Sequence, residues 1–331
     1  MPGSDEASGV KRVTAADVAR SLGLSRATVG FVLNDTPGQT IPEATRQRVI
    51  DEAARLGYRP HTAARALASG RSHIVLVLLP EWPLDYSMRS HLDEASLVLD
   101  QAGYSLVTRT PHPGGTAVPL WESLNPDVVM AMAPISDADY EAIQRSGAIT
   151  LIPQRGEDSI GSELHFDEGP RLQVEHLVSR GRRRLAYAGT PDPRLSDLNA
   201  QRRSLTMSSI ASTAAQFVSA ADVDTGSAAT TVQTWLAQGV DGVVAYNDDT
   251  AALVLGAAVR GGVEIPGALA IIGHDDTPLA SLIVPSLSSV RVDTAGLGRF
   301  LAELALRRVT ADSTPVEGPS ATIEVIRRES S

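Results

Sequence analysis

Residues 13–34, VTAADVARSLGLSRATVGFVLN, constrain the fold more than any other stretch of the chain. Thr14 stands where an N-cap belongs, ahead of a helix expected over Ala15 to Leu22, because its hydroxyl can accept from the free amides of a first turn. Val18, Ala19 and Leu22 give that helix a small apolar face. Gly23 suits the left-handed position that ends it. Ser25 is placed to cap a second helix with Val29, Val32 and Leu33 turned inward, leaving Arg26, Ala27 and Gly30 outward near its start. This is the spacing of a helix-turn-helix, where the first residues of the second helix reach base edges in the major groove. Two short amphipathic helices around a glycine turn are also common without any such role, so the next segment carries weight.

A third helix is expected from Pro42 to Leu56, with proline suited to the first helical position. Its stripe of Val49, Ile50, Ala53 and Leu56 is enough to close a small three-helix core, and Gly57 stops it. YRPHTAARALASGRS follows at residues 58–72. The Ala-rich run Thr62 to Ala68 is too short for a stable isolated helix and is expected to form only against a partner or DNA.

Charge divides the chain in the same place. Residues 10–71 hold ten basic and five acidic residues, about +5, whereas the whole chain carries −10. A basic headpiece on an acidic body favours phosphate contact through the headpiece alone. There is no cysteine, which excludes disulfides and thiolate metal sites. Residues 1–11 read as a disordered polar lead rather than a signal peptide. The longest apolar run, Ile74 to Leu79, is far too short for a bilayer. A cytoplasmic chain without a membrane partner is expected.

Beyond Arg71 strands and helices alternate. Strands are expected at 74–80, 105–110, 127–134, 148–154, 184–190, 216–220, 242–248 and 269–276. Helices are expected over Ser90–Ala102, Asp137–Gly147, Pro170–Gly181, Ala200–Thr213, Ala228–Gly239, Thr250–Gly262 and Thr294–Val309. Apolar strands in such alternation form parallel sheets covered on both faces. Their number suits two lobes, with a ligand between them at the strand C-termini. No enzyme constellation is present: EDSIG at 157–161 lacks the leading glycine of a nucleophile elbow, and there is neither HExxH nor a Walker sequence. The pairs Asp248–Asp249 and Asp275–Asp276 at strand ends are read as helix caps and partners of a polar ligand, ahead of acid–base chemistry or a cation. No catalytic residue, metal site or cofactor is expected.

In order along the chain stand the first motif above, EATRQRV (43–49), LGYRPHTAARAL (56–67), EHLVSRGRRRLAYAG (175–189), GVVAYNDDTAALVLGAAVRGGVEIPGALAIIGHDD (242–276) and PSLSSVRVD (285–293). In this combination the sequence resembles the LacI/GalR family of bacterial transcriptional regulators, from Val13 to the end. The resemblance implies an all-α helix-turn-helix headpiece at 12–59 and a hinge helix and linker at 60–72. Residues 73–331 would then form a two-lobed α/β body with parallel sheets, like periplasmic binding proteins of type I. It also implies a homodimer on a near-palindromic double-stranded operator and control by a small-molecule effector, a sugar or related metabolite.

On that resemblance, Arg26 and Ala27 read bases, Arg26 being suited to a guanine O6/N7 pair. Thr14, Ser25, Thr28 and Asn34 match backbone-contacting or capping positions, and Thr45 and Tyr58 lie where phosphate contacts fall. Leu67 matches a leucine that wedges into the minor groove and kinks the duplex, with Ala64 and Arg65 beside it. Three positions depart from the family pattern: Gly30 for a usual serine, Phe31 for a base-contacting arginine or histidine, and His61 for a usual asparagine or serine. The matching effector positions are Trp82, Tyr86, Arg155, Arg202, Asn247, Asp248, His274 and Asp275. Gln154-Arg155 stands for a usual Asp-Arg pair, and Leu205-Thr206 for a small-aromatic pair. The leading expectation is an effector-controlled dimeric repressor of a carbohydrate-related operon. A ligand-independent regulator whose body only dimerises, or a sugar-binding protein, remain open alternatives.

Overall fold

The computed structural model describes residues 13–34, 38–58, 71–112, 114–132, 135–146, 150–153, 168–310 and 323–331. The lead at 1–11, the expected hinge helix with His61, Ala64, Arg65 and Leu67, and Arg155 lie outside them. Contacts divide the chain between His73 and Ile74.

In the first unit three helices form: α1 (Ala15–Leu22), α2 (Arg26–Leu33) and α3 (Glu43–Arg55). Thr14 and Asp17 make a reciprocal capping box: the Asp17 amide donates to the Thr14 hydroxyl at 3.4 Å and the Thr14 amide donates to Asp17 at 2.9 Å. Gly23, at φ 65°, ends α1, and the Leu24 N–H reaches back to the Ala19 carbonyl at 3.0 Å. Ser25 accepts from the Thr28 amide at 3.0 Å and starts α2. Val18, Val29 and Val49, one from each helix, are fully buried, with Ala19, Val32 and Ala53 around them. Each valine contributes about 1.5–3 kcal/mol by leaving water. Two expectations need correction. Gly30 is half-buried rather than outward, and Ile50 is 45% exposed rather than part of the core stripe.

The second unit holds β1 (Ile74–Leu78), α4 (Tyr86–Gln101), β2 (Ser105–Arg109), α5 (Leu120–Leu124), β3 (Val128–Ala131), α6 (Asp137–Arg145) and β4 (Thr150–Ile152). It continues through α7 (Glu168–Ser179), β5 (Arg184–Gly189), α8 (Ser196–Ala211), β6 (Gln216–Asp222), α9 (Ala228–Ala237), β7 (Gly242–Ala245) and α10 (Asp248–Arg260). It closes with β8 (Ala270–His274), α11 (Pro278–Leu282), β9 (Ser288–Val292), α12 (Thr294–Thr310) and β10 (Ile323–Ile326). One sheet has the order β2-β1-β3-β4, all parallel; the other has the order β10-β9-β8-β7-β5-β6. Parallel pairing agrees with the expectation except at the edge, where β10 runs antiparallel to β9.

The lobes are not consecutive in sequence. The chain leaves the first sheet after β4, builds most of the second, and sends α12 back to the first lobe. There Leu297, Phe300, Leu301, Ala302, Ala305 and Val309 join the core of β1, β3 and α4. It then returns as β10. α12 lies so close to α4 that a Cβ on Gly298 would sit 2.9 Å from the Glu94 Cβ and nearer still to the His91 carbonyl. The helix that follows β9 therefore belongs to the first lobe by its packing on α4.

Seven of the eight expected strands end one to three residues sooner than expected at their C-termini, whereas β6 runs two residues longer, to Asp222. α4 begins four residues earlier than expected, at Tyr86, because Asp85 caps it by accepting from the Met88 amide at 2.8 Å.

Candidate functional site

Two surfaces carry the expected chemistry, and each is described within its own unit. In the headpiece, Ser25, Arg26, Ala27, Asn34 and Thr14 are exposed, while Thr28, Phe31, Thr45 and Tyr58 are half-buried. Arg26 opens α2 and makes no ion pair among the described residues, whereas Arg20 and Arg55 are held by Asp17 at 2.8 Å and Glu52 at 2.6 Å. Asp17 and Glu52 are thus paired within their own helices. Tyr58 packs on the three-helix core.

In the body, a cleft of ≈ 850 Å³, counted to its open mouth, lies between the lobes. Its walls are residues just past strand ends: Trp82 and Asp85 after β1, Met132 after β3, Tyr246 after β7, His274 and Asp275 at the end of β8, and Val292 closing β9. Ser87, Met88 and His91 from α4, Leu195 and Leu198 beside and within α8, Arg202 from α8, and Leu297 and Leu301 from α12 complete it.

Arg202 is the buried centre. Its Nη1 donates to the Tyr246 carbonyl at 2.5 Å, its Nη2 lies 3.9 Å from Asp275, and its guanidinium sits 4.7 Å above the Tyr246 ring. Asp275 takes the other side of the network: its Oδ1 is 2.7 Å from His274 Nδ1. Burial pushes the His274 imidazole down, with the Arg202 charge adding to it and the Asp275 carboxylate opposing it. Burial alone would push the Asp275 carboxyl up. The His274 hydrogen bond, the Arg202 charge and the nearby Ser87 hydroxyl outweigh it, and the group stays ionised. Asp275 and Asp276 both have positive φ, 94° and 46°. Such backbone costs about 1–3 kcal/mol for each non-glycine residue, and here it turns the Asp275 carboxylate into the cleft.

Several cleft atoms have no partner. Among the described residues Arg202 Nε and both ring nitrogens of His91 are buried without a hydrogen-bond partner. His91 is 8% exposed, and burial pushes its imidazole down to about 4. Asp85 opens to the cleft rim. Desolvation there raises its carboxyl, with Asp275 and Asp249 adding repulsion.

The structure brings together Trp82, Arg202, His274 and Asp275 and leaves three expected effector residues elsewhere. Tyr86 is 47% exposed, on a neighbouring groove with Asp276 and Arg291. Asn247 caps α10 by accepting from the Thr250 amide at 2.9 Å. Asp248 is fully buried, accepting from Ser289 Oγ at 2.6 Å and the Thr277 amide at 2.6 Å. The expected capping role therefore belongs to Asn247, and Asp248 ties three segments together. Asp85, Ser87, His91 and Tyr246 were not anticipated. A start of α4 at Tyr86 would have revealed His91, since Met88, His91, Ala95 and Leu99 then share one face.

A helix-turn-helix unit followed by a two-lobed parallel α/β body defines a transcriptional regulator with a periplasmic-binding-protein-like domain. Residues 14–61 match the bacterial regulatory proteins, lacI family, and residues 174–331 match the periplasmic binding protein-like domain. The chain is 30% identical over 319 residues to an uncharacterized HTH-type transcriptional regulator in the aml 5' region of Streptomyces limosus, with 89% of each chain covered. It is 29% identical to the HTH-type transcriptional regulator GntR of Pseudomonas aeruginosa, covering 96% of each. It is 28% identical to the ribose operon repressor of Bacillus subtilis, covering 88% of this chain and 90% of that one. The fold matches a lac repressor dimer bound to operator and the anti-inducer ONPF, with a TM-score of 0.77 at 22% identity over 97% and 99% of the two chains. The chain belongs to the LacI family of bacterial regulatory proteins and is a DNA-binding transcriptional regulator. Among the described residues no helix is long and apolar enough to cross a membrane.

Proposed function

We propose that the protein is a dimeric repressor whose operator affinity is set by a small molecule in the inter-lobe cleft. The observation that carries this reading is the cleft itself: among the described residues Arg202 Nε and the His91 nitrogens are buried and unpartnered around it. Buried polar groups without partners are costly, and a ligand that pairs with them recovers that cost. A body that served only for dimerisation has no reason to keep them.

Arg26 and Ala27 read the major groove and Ser25, Thr28, Asn34, Thr45 and Tyr58 hold the backbone. Leu67, with His61, Ala64 and Arg65, engages the central minor groove. Trp82, Arg202, His274 and Asp275 receive the effector, with Arg155 as a further candidate. The regulated genes are carbohydrate-related on this reading, and the protein acts in the cytoplasm. If effector and operator favour different lobe arrangements, each weakens the other by the same factor, typically about 1–3 kcal/mol.

The test is binding of the full chain to DNA upstream of its own gene, followed by fluorescence anisotropy across a salt series and a metabolite panel. Palindrome-specific binding, released by one compound and weakened in Leu67→Ala, is the expected result. Specific binding with no response and no thermal shift from any compound favours a ligand-independent regulator. Binding that persists without residues 1–72 overturns the assignment of the headpiece.

A further inference from the structure

The cleft is unusual in what it lacks as well as in what it offers. Among its described lining residues the charged groups are Asp85, Asp275 and Arg202. Arg202 is already committed to the Tyr246 carbonyl, the Tyr246 ring and Asp275, leaving only its Nε without a partner. Among the described lining residues an anionic ligand therefore finds two carboxylates and no spare cation. A hydroxyl, in contrast, can accept from Arg202 Nε and donate to Asp275 or Asp85. One end of the cleft is thus built for an uncharged hydroxylated ring.

The other end differs. His91 lies on α4 four residues beyond Ser87, the hydroxyl beside Asp275, which places it one turn, about 6 Å, farther along the helix. Met88, Met132, Leu297 and Leu301 give the same cleft apolar walls. Within this apolar setting the imidazole has both nitrogens buried and unpartnered. A neutral imidazole offers one donor and one acceptor. Its complement is a flat ring that carries an acceptor and a donor on its edge while its faces meet methionine and leucine. A free monosaccharide would leave this end unfilled.

We propose that the cleft takes an uncharged two-ring ligand: a hydroxylated ring held by Arg202, Asp275 and Asp85, joined to a flat ring whose polar edge pairs with His91. The proposal rests on the reading of this cleft as the effector site. Nucleosides and aryl glycosides both have this chemistry.

The experiment is a thermal-shift and calorimetric titration of the full chain with four sets of compounds: nucleosides, aryl glycosides bearing a phenolic or amide edge, their parent free sugars, and their phosphorylated forms. A member of the first or second set is expected to bind about tenfold or more tighter than its free sugar, because the second ring buries apolar surface. Its phosphorylated form is expected to bind at least about a hundredfold more weakly. Which set responds identifies the source of the ligand. His91→Phe keeps an aromatic ring of similar size but no polar edge, and should weaken the two-ring compound about tenfold more than it weakens the free sugar. His91→Gln, which keeps a donor and an acceptor, should restore part of that loss. A free sugar or phosphorylated sugar binding as tightly as any two-ring compound overturns this proposal while leaving the effector site intact. An unchanged affinity in His91→Phe does the same. No shift with any of the four sets overturns the effector reading and this inference with it.

Discussion

Gly169 gives the sharpest test of how the cleft is held. It is the second residue of α7, and a Cβ there would lie 2.7 Å from His274 Cδ2 and nearer still to Nε2. Ordinary contact begins near 3.4 Å, so the imidazole would have to retreat by about 0.7 Å or more. It has little room to do so, because the ring is buried and its Nδ1 is tied to Asp275 at 2.7 Å. Helix propensity alone favours Gly169→Ala by at most about 1 kcal/mol. Against this stand about 1–3 kcal/mol of overpacking and about 1.5–3 kcal/mol for a hydrogen bond to a charged group. The steric side wins by roughly 2–5 kcal/mol, which lowers the melting temperature of the body by about 5–15 °C. Differential scanning calorimetry reads the shift, and the same variant should lose effector response, because Asp275 loses its orienting partner. In the double variant Gly169→Ala/His274→Ala the methyl enters space left by the imidazole. The second change should therefore add little to the cost of His274→Ala alone. A Gly169→Ala protein that melts with the wild type and responds to effector would refute the reasoning.

Other outcomes follow from the same geometry. Arg26→Ala should weaken specific operator binding by about 1–3 kcal/mol and relax base preference at one position in each half-site, read by anisotropy against single-base operator variants. Thr14→Ala removes the capping hydroxyl of α1 and should destabilise the headpiece by about 0.5–2 kcal/mol, seen as faster amide exchange in residues 15–55 of the full chain. The Asp17 carboxyl is held at about 2 by the Thr14 hydroxyl and amide and then Arg20, and Glu52 at about 2 by Arg55 and Ser21. Both lie below their unfolded values, so the stability they add is present above the ordinary carboxylate range and lost as pH falls toward 2; Asp17→Asn should flatten part of that acid limb. Burial pushes the Asp248 carboxyl up to about 7 despite its bonds from Ser289 and Thr277. Stability of the body should therefore fall as pH rises from the ordinary carboxylate range through about 7, and Asp248→Asn should remove that slope in pH-dependent melting.

What was legible in the linear chain was what local chemistry decides. Thr14, Gly23, Ser25 and Gly57 act through hydrogen bonds and backbone angles within a few residues of themselves, so the three headpiece helices appear close to where the caps place them. Alternation of apolar strands with helices was enough for parallel sheets, because each strand needs a crossover and cover on both faces. Arg202, His274 and Asp275 could be located by motif, since they lie within or next to the recognised strand and helix ends. Other features depended on parts of the chain far apart in sequence. Nothing near Thr294–Thr310 says that this helix leaves the second lobe to pack on Tyr86–Gln101; only the close approach at Gly298 and the shared apolar core decide it. Asp248 and Asn247 are adjacent, yet one caps a helix and the other bonds Ser289 and Thr277, and that distinction arises from strand packing. His91 belongs to the cleft because two lobes meet over its helix face. Caps, turns and periodicity in the linear chain were enough for most helices and strands, though not for α5, α11, β9 and β10. The tertiary structure alone decided which polar groups are stranded without partners, because burial and hydrogen bonding depend on neighbours that the linear order does not bring together.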